Sequence, residues 1–373
     1  MNQTFRLLVF VICMLAIIAA GCGQTGGDSA PRNADVPLTE TETDSPETLT
    51  IVDEMGREVE IALPVKRVAV FNTYNVEFVR AVGGIASIVG MDAGAYGYKE
   101  YWPGFDDKNL IGKGQSEPNY EMLVQVKPDV VIIPRNGLWE ETIEKMKPFD
   151  IPVVVMTGWD VSKHVENITM LGLLLDQKER AQELNDFYLN YMNLIQSRLE
   201  GVPRKYVYVE NKADYMSPVP GSGHHDVIEN AGGINIFEDI VYAEQPTSKG
   251  TVHSFEIDPE RILSKNPDMI VKFVSGSYIP PEPEEMQNQL DELLKRPGWE
   301  QLTAVQNQNV HISSEFATGG SSKLIGTVYY AKWLHPELFP DLDPEAVYRE
   351  WIEHFQQVPF KPGGYYSMTD VVE

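Results

Sequence analysis

The sequence predicts an α/β protein of two similar lobes, and three observations carry that prediction. The first is a stretch that occurs twice, as Glu121 to Ile132 (EMLVQVKPDVVI) and as Glu260 to Val271 (ERILSKNPDMIV). Each copy has a Glu, an apolar helical pair, a Pro-Asp whose Asp lies eight residues after the Glu, and then an apolar run. The second is punctuation: Pro128 and Pro267 cannot continue a helix and bias the residue before them to extended geometry. The third is the lack of polar alternation in Val130-Val131-Ile132-Ile133 and Met269-Ile270-Val271, the pattern of parallel strands buried on both faces. Two copies about 140 residues apart imply two lobes, each with one Glu at the start of an equivalent helix.

The elements follow in chain order. Residues 49–61 alternate and turn near Glu54-Met55-Gly56, which predicts a hairpin. Val68 to Phe71 is a buried strand; a polar turn, Asn72-Thr73-Tyr74-Asn75, precedes a helix from Val76 to Val82 that stops at Gly83-Gly84. Ile88 to Met91 is a strand, and Asp92 to Phe105 a loop rich in Tyr and Gly. After the first repeat come a helix (Trp139 to Lys147) and a strand (Pro152 to Met156). Residues 161–200 have helical apolar spacing, with a possible break at Asp176-Gln177. Lys205 to Glu210 opens the second lobe as a strand, and the loop Tyr215 to His225 leads into a helix. Beyond the second repeat, Leu290 to Leu302 reads as helix, Val310-His311-Ile312 as strand, and Gly319 to Trp333 and Pro344 to Phe355 as helices; the tail around Gly363-Gly364-Tyr365-Tyr366 is expected to be loosely held.

The N-terminal residues belong to targeting, not fold. Arg6 is followed by an apolar run from Leu7 to Ala20, too short for a comfortable membrane span. Ala19-Ala20-Gly21-Cys22 is similar to a bacterial lipobox, in which cleavage precedes a Cys that is then acylated. A plain secretory peptide and a transmembrane anchor are the alternatives. Cys13 leaves with the signal, so Cys22 is the single thiol of the mature chain and no internal disulfide forms. Residues 23–48 are mostly Gly, Ser, Thr, Pro and acidic residues with almost no aliphatics, the composition of a flexible tether. A formal charge of −25 argues against nucleic acid as a partner and against direct adhesion to anionic lipid.

The chain resembles the cluster A (class III, helical-backbone) substrate-binding lipoproteins of ABC importers, the family that takes up iron–siderophore complexes, haem and cobalamin. The resemblance runs over nearly all of residues 49–356, through DEMGREVEIALPVKRVAV, the two repeats, GSGHHDVIENAGGINIF, RPGWEQLTAVQNQNVHI and YYAKWLHPELFPDL. It implies two Rossmann-like lobes with central parallel sheets, joined by one long helix, with the ligand in the cleft between them. On that basis the chain divides into a signal peptide (1–21), acylated Cys and tether (22–48), N-terminal lobe (49–160), connecting helical segment (161–200), C-terminal lobe (201–340), and C-terminal helix and tail (341–373). The implied function is extracytoplasmic capture of a siderophore, haem or corrinoid, with no intrinsic cofactor and the metal complex as cargo. The implied partners are a permease dimer with its ATPase, and the membrane through the lipid anchor. In the family one Glu per lobe engages permease arginines, and those positions match Glu121 and Glu260. The alternative is that each merely favours a helix N-terminus through the dipole.

Ligands of open α/β sheets bind beyond the carboxyl ends of strands. This selects the loops Asn72–Asn75, Tyr96–Trp102, Pro134–Asn136 with Trp139, and Tyr215–His225, with Ser275–Tyr278 and Phe316–Ser322 at the rim. Tyr74, Tyr96, Tyr98, Tyr101, Trp102, Tyr215 and Tyr278 would form flat apolar walls with polar tips. Arg135 suits an anionic ligand group or a neighbouring carboxylate; Lys99 and Lys212 are weaker candidates. His224 and His225 invite a metal, but adjacent residues point apart and no HxxxH or Cys partner exists. Neither GxxxxGK[ST] nor GxSxG occurs, which leaves a chelate-processing enzyme and an adhesive surface lipoprotein as the weaker classes.

Overall fold

The computed structural model describes residues 47–240, 254–276, 278–318 and 323–370. The leader, Cys22 and most of the tether lie outside the described residues, as do Ser277 and the Gly319–Ser322 segment.

The predicted hairpin forms from β1 (Thr48–Val52) and β2 (Glu58–Ala62). The first lobe then runs β3 (Val68–Val70), α1 (Thr73–Ala81), β4 (Ile88–Met91), α2 (Ala93–Tyr96), β5 (Gly112–Gly114), β6 (Glu117–Pro118), α3 (Tyr120–Gln125), β7 (Val130–Ile133), α4 (Trp139–Met146) and β8 (Val153–Val155). Its sheet has the order β4-β3-β7-β8, all parallel, and the residues of β3, β7 and β8 are buried throughout. The hairpin covers the outer edge of β8: Glu54 N donates to Val155 O, Val155 N to the Asp53 carboxylate, and Arg57 to Val153 O. An otherwise open strand edge is thereby closed.

Two helices follow, α5 (His164–Leu174) and α6 (Lys178–Leu199). The connecting segment thus breaks where the sequence allowed, at Asp176-Gln177, into a helical hairpin whose second arm is the one long helix. Asp176 takes a left-handed φ of 52° and turns the chain, and α6 alone is the spine. The pair crosses at Gly172, where a Cβ would stand 2.5 Å from that of Ala181.

The second lobe runs β9 (Lys205–Glu210), β10 (Met216–Pro218), α7 (Gly223–Asn230), β11 (Gly233–Asn235), β12 (Ser254–Glu256), α8 (Pro259–Lys265), β13 (Met269–Val274), α9 (Pro283–Leu294), α10 (Thr303–Gln306), β14 (Val310–Ser314), α11 (Glu315–Thr318), α12 (Lys323–Leu334), α13 (Pro344–Glu350) and β15 (Tyr365–Ser367). Its sheet has the order β11-β9-β13-β14-β15. The first four strands are parallel and repeat the order of the first lobe; β15 adds an antiparallel edge. The tail expected to be loose is thus part of a sheet, and Tyr366 is buried.

The repeated stretch explains the equivalence of the lobes. Asn119 caps α3 and Asp258 caps α8, and in both helices the Glu is the second helical residue. Lys127 and Asn266 each take φ 45° just before the Pro. The following Asp then clamps the start of the neighbouring strand. Asp129 accepts from Lys66 N and Arg67 N at 2.8 and 2.9 Å, and Asp268 from Tyr206 N at 2.8 Å. Each Asp N–H returns a bond to the facing carbonyl, Arg67 O and Tyr206 O, both at 2.7 Å.

After α13 the chain makes a π-helical turn, Trp351–Phe355, that packs against the first lobe and the spine. Trp351 meets Phe78 edge-on and Phe355 meets Phe187. Gln356 accepts from Arg80 Nε at 2.8 Å and donates to Glu77 O at 3.1 Å. The segment then returns to the second lobe through β15. Two helix starts also differ from expectation: α1 begins at Thr73, three residues early, because Asn72 caps it, and α9 begins at Pro283.

Candidate functional site

The carboxyl ends of the strands of both lobes face one cavity of about 200 Å³. Asn72 and Tyr74 come from the turn after β3, Asn136 from the turn after β7, and Trp159 from the turn after β8. Gln115 is at the β5–β6 turn; Ser222, Gly223 and His224 begin α7; Lys323 begins α12.

The local sequence holds these groups in place. Asn72 adopts φ 77°, its N–H donates to Asp92 at 2.7 Å, and its side-chain oxygen caps α1 by accepting from Tyr74 N at 3.1 Å. Buried Asn75 donates to Phe71 O and Met156 O and accepts from Gly158 N at 2.8 Å, tying the turn after β3 to that after β8. A Cβ on Gly158 would lie 2.8 Å from Tyr74 Cβ, so this close approach requires glycine. Tyr74 and Trp159 consequently meet edge-on at 5.9 Å. Leu138 N donates to Gln115 O at 2.9 Å and fixes the hairpin turn against the loop after β7. The buried Asn136 side-chain oxygen has no hydrogen-bond partner among the described residues.

On the second lobe Ser222 caps α7 by accepting from His224 N at 3.2 Å. Lys323 is 4 % exposed, and its Nζ donates to Tyr74 Oη at 2.9 Å across the lobes. Burial pushes its pKa down to about 7, against the upward pull of Glu315 and Asp226. The same burial, with Glu315 and Glu77 adding to it, raises the Tyr74 phenol far above its ordinary range.

Of the sequence-expected residues, Tyr74 and His224 line this cavity. His225 does not: it faces an adjacent groove with Arg135, Asp160 and Asp226, so the two imidazoles diverge as expected. Arg135 is engaged by the Glu54 and Asp160 carboxylates, the second of its two possible roles. Tyr101 and Trp102, expected at the cleft wall, are 0 % and 1 % exposed. The Arg80 guanidinium lies 4.0 and 3.7 Å from their rings, and the Tyr101 hydroxyl donates to buried Glu77. Tyr278 is also buried; it packs on Tyr101 at 5.0 Å and its hydroxyl donates to Pro359 O. Tyr98 and Tyr101 of the first lobe meet Phe316 of the second at 5.8 and 5.0 Å, an aromatic bridge between the lobes. Tyr96 bonds Asp107 at 2.7 Å, Trp139 packs outside the first sheet under Arg57, and Tyr215 lies under Arg296. None of these three lines the cavity.

Sequence reasoning missed Gln115, Trp159 and Lys323. Trp159 follows a predicted strand and obeys the same rule as the chosen loops. Lys323 is the one charged residue in the first nine of α12, in a helix that is otherwise apolar there. Glu121 and Glu260 are exposed, and among the described residues neither has an ion-pair partner. Among the described residues no group of three His, Cys, Asp or Glu is placed to hold a metal, and no helix is long and apolar enough to cross a membrane.

A sequence profile described as "Periplasmic binding protein" matches residues 68–314. The chain is 23% identical over 350 residues to the molybdate-binding protein MolA of Haemophilus influenzae, covering 84% of this chain and 92% of that one. It is 23% identical over 338 residues to the iron-uptake system-binding protein of Bacillus subtilis, covering 84% and 93%. Among solved structures, MolA bound to molybdate superposes with a TM-score of 0.67 at 20% identity, covering 84% of this chain and 100% of that chain. The TroA-like periplasmic binding protein FepB of Veillonella parvula gives 0.69 at 24% identity, covering 86% and 99%.

Proposed function

Since the chain belongs to the periplasmic binding protein family, the substrate-binding proteins of ABC importers, we propose that its inter-lobe cavity captures a compact oxyanion for delivery to a permease. It is an extracytoplasmic binding protein and not an enzyme; family members carry transported ligands rather than intrinsic cofactors. The observation that carries the ligand reading is the cavity itself. Pockets for drug-sized ligands run about 300–1,000 Å³, and this one is about 200 Å³. Its polar lining is rich in donors: the Lys323 ammonium, the amides of Asn72, Gln115 and Asn136, and the first turn of α7. The full-length similarity to a molybdate-binding protein agrees with this chemistry.

A metal chelate is the second reading, favoured by His224 in the cavity, by the aromatic bridge at its side and by the similarity to an iron-uptake binding protein. Glu121 and Glu260 are the proposed docking residues for permease arginines, and Cys22 the proposed site of the lipid anchor. Native mass spectrometry of the protein from its own host tests ligand and anchor in one spectrum. The expected result is a diacylglycerol mass on Cys22 and one small inorganic anion, exchangeable for molybdate or sulfate. A bound haem, corrinoid or ferric siderophore would replace the oxyanion reading by the chelate one, and an unmodified Cys22 would remove the anchor.

A further inference from the structure

Resting on the oxyanion reading of this cavity, we propose that Gly223 is its specificity-determining stop: the missing side chain lets the second lobe close onto Trp159 of the first, and so sets the smallest anion that touches both walls. Gly223 is the first residue of α7, is buried, and lines the cavity beside Trp159. Its φ is not in the left-handed region, so its backbone does not call for glycine; the space around it does. A Cβ there would stand 3.0 Å from Trp159 O, 3.5 Å from Trp159 Cβ and 2.7 Å from Lys323 Cε. The lysine stem is flexible and can give way. The Trp159 carbonyl is backbone, and whether it gives way decides what an added methyl group does.

Both sides of this contact are held. On the first lobe, Trp159 follows Gly158, whose N–H donates to Asn75 Oδ1 at 2.8 Å and whose own Cβ would stand 3.0 Å from the Tyr74 backbone carbon. Thr157 O accepts from Asp160 N and from Asn167 Nδ2, both at 3.2 Å, which ties the turn to α5. On the second lobe, Ser222 N donates to Val219 O at 3.1 Å, and Asn235 Nδ2 donates to Pro218 O at 2.9 Å, which ties the loop before α7 to β11. In close-packed surroundings neither turn retreats alone, so a methyl group at position 223 is taken up between the lobes as a whole. The other contacts across the lobes, Lys323 Nζ to Tyr74 Oη at 2.9 Å and Phe316 on Tyr98 and Tyr101, close at the same setting. With the stop in place the cavity is about 200 Å³. An anion too small for it reaches one wall only, and one too large holds the lobes off the stop. Both lose contacts that the fitting anion makes.

Titration calorimetry in near-neutral buffer, with three tetrahedral dianions of rising size, reads the stop directly: sodium sulfate, sodium molybdate and ammonium tetrathiomolybdate. The wild type should discriminate among them by about tenfold or more, as a misfit of one methylene does in a fitted pocket. Gly223→Ala should fold, since alanine is the better helix former. It should weaken sulfate most and tetrathiomolybdate least, raising the tetrathiomolybdate-to-molybdate affinity ratio by about tenfold. Gly233→Ala is the control. A Cβ there would meet Ile228 and Val207, each at 2.8 Å, within the second lobe, so it should lower the urea midpoint and leave the ratio unchanged. A wild type that binds the three anions without regard to size would overturn the stop and leave the oxyanion reading standing. So would a Gly223→Ala variant that keeps wild-type affinities or weakens all three equally. An unfolded Gly223→Ala would overturn it by making the glycine a requirement of folding, and an equal shift of the ratio in Gly233→Ala by assigning the effect to general loosening. No binding of any of the three anions by the wild type would overturn both.

Discussion

Buried imidazoles show how single residues set the pH limits of this fold. His164 is stacked on Tyr188 at 3.9 Å, meets Phe78 edge-on at 5.2 Å, and is 6 % exposed. Burial drives its pKa down to about 3. The folded state therefore binds fewer protons than the unfolded state between about pH 3 and the ordinary value near 6.5. Its contribution to stability is complete above about 6.5 and is lost as pH falls, at up to about 1.4 kcal/mol per pH unit. His311 is likewise held at about 3 by burial. The Asn309 amide donates to Asp268 O, so its oxygen accepts from His311 Nε2 at 2.8 Å, while Nδ1 accepts from the Ser367 hydroxyl at 2.7 Å. His164→Phe keeps the stack and removes one titration. Urea unfolding midpoints should then fall less steeply between pH 6.5 and 4 than in the wild type. An unchanged acid limb would assign the effect to other groups. Residues of this kind are illegible in sequence: nothing in the residues around His164 distinguishes a buried neutral ring from a ligand, since burial is decided by Phe78 and Tyr188, each more than twenty positions away.

At the level of elements the chain was far more readable. Pro-Asp after a short helix fixed both the stop and the strand, because proline and an apolar run are local signals. What the Asp does was hidden, because its partners are on another strand. Asp129 and Asp268 hold the starts of β3 and β9 through equivalent bonds, so the repeat encodes a strand clamp as well as a helix end. Asp268→Ala should lower stability by about 1 kcal/mol, Asp129→Ala by a similar amount, with ligand affinity near wild type, as checked by urea unfolding and calorimetry. A much larger loss of binding than of stability would mean that the clamp also positions the cleft. The break at Asp176 falls where the sequence allowed it, whereas the C-terminal strand at Tyr365 was misjudged, because it depends on a tertiary partner, the open β14 edge. The cavity was half legible for the same reason. Its loops follow strand ends, but Lys323 reaches it only because Gly223 leaves space.

For the whole molecule, the two lobes carry equivalent helices whose second residues, Glu121 and Glu260, are both exposed. Two acidic points at equivalent places suit a partner with two equivalent basic points. Glu121→Ala with Glu260→Ala should reduce permease-dependent transport several-fold while leaving ligand affinity near wild type. Reversing both to Arg should reduce it further. Raised salt should weaken wild-type docking more than that of the double mutant. Transport that survives double reversal would remove the docking role. Lost ligand binding in the alanine variant would relocate these carboxylates to the cleft.

The returning C-terminal segment turns distance along the chain into time. The Arg80 guanidinium and the Glu77 backbone of α1 find their amide partner at Gln356, 276 and 279 positions later, and Phe78 finds Trp351. During synthesis the first lobe can form its strands early but cannot seal this side of its core until nearly the last residues emerge. Contacts of such long range close slowly, so a nascent or truncated chain should keep α1 open to hydrogen exchange and to chaperones until its final residues are made.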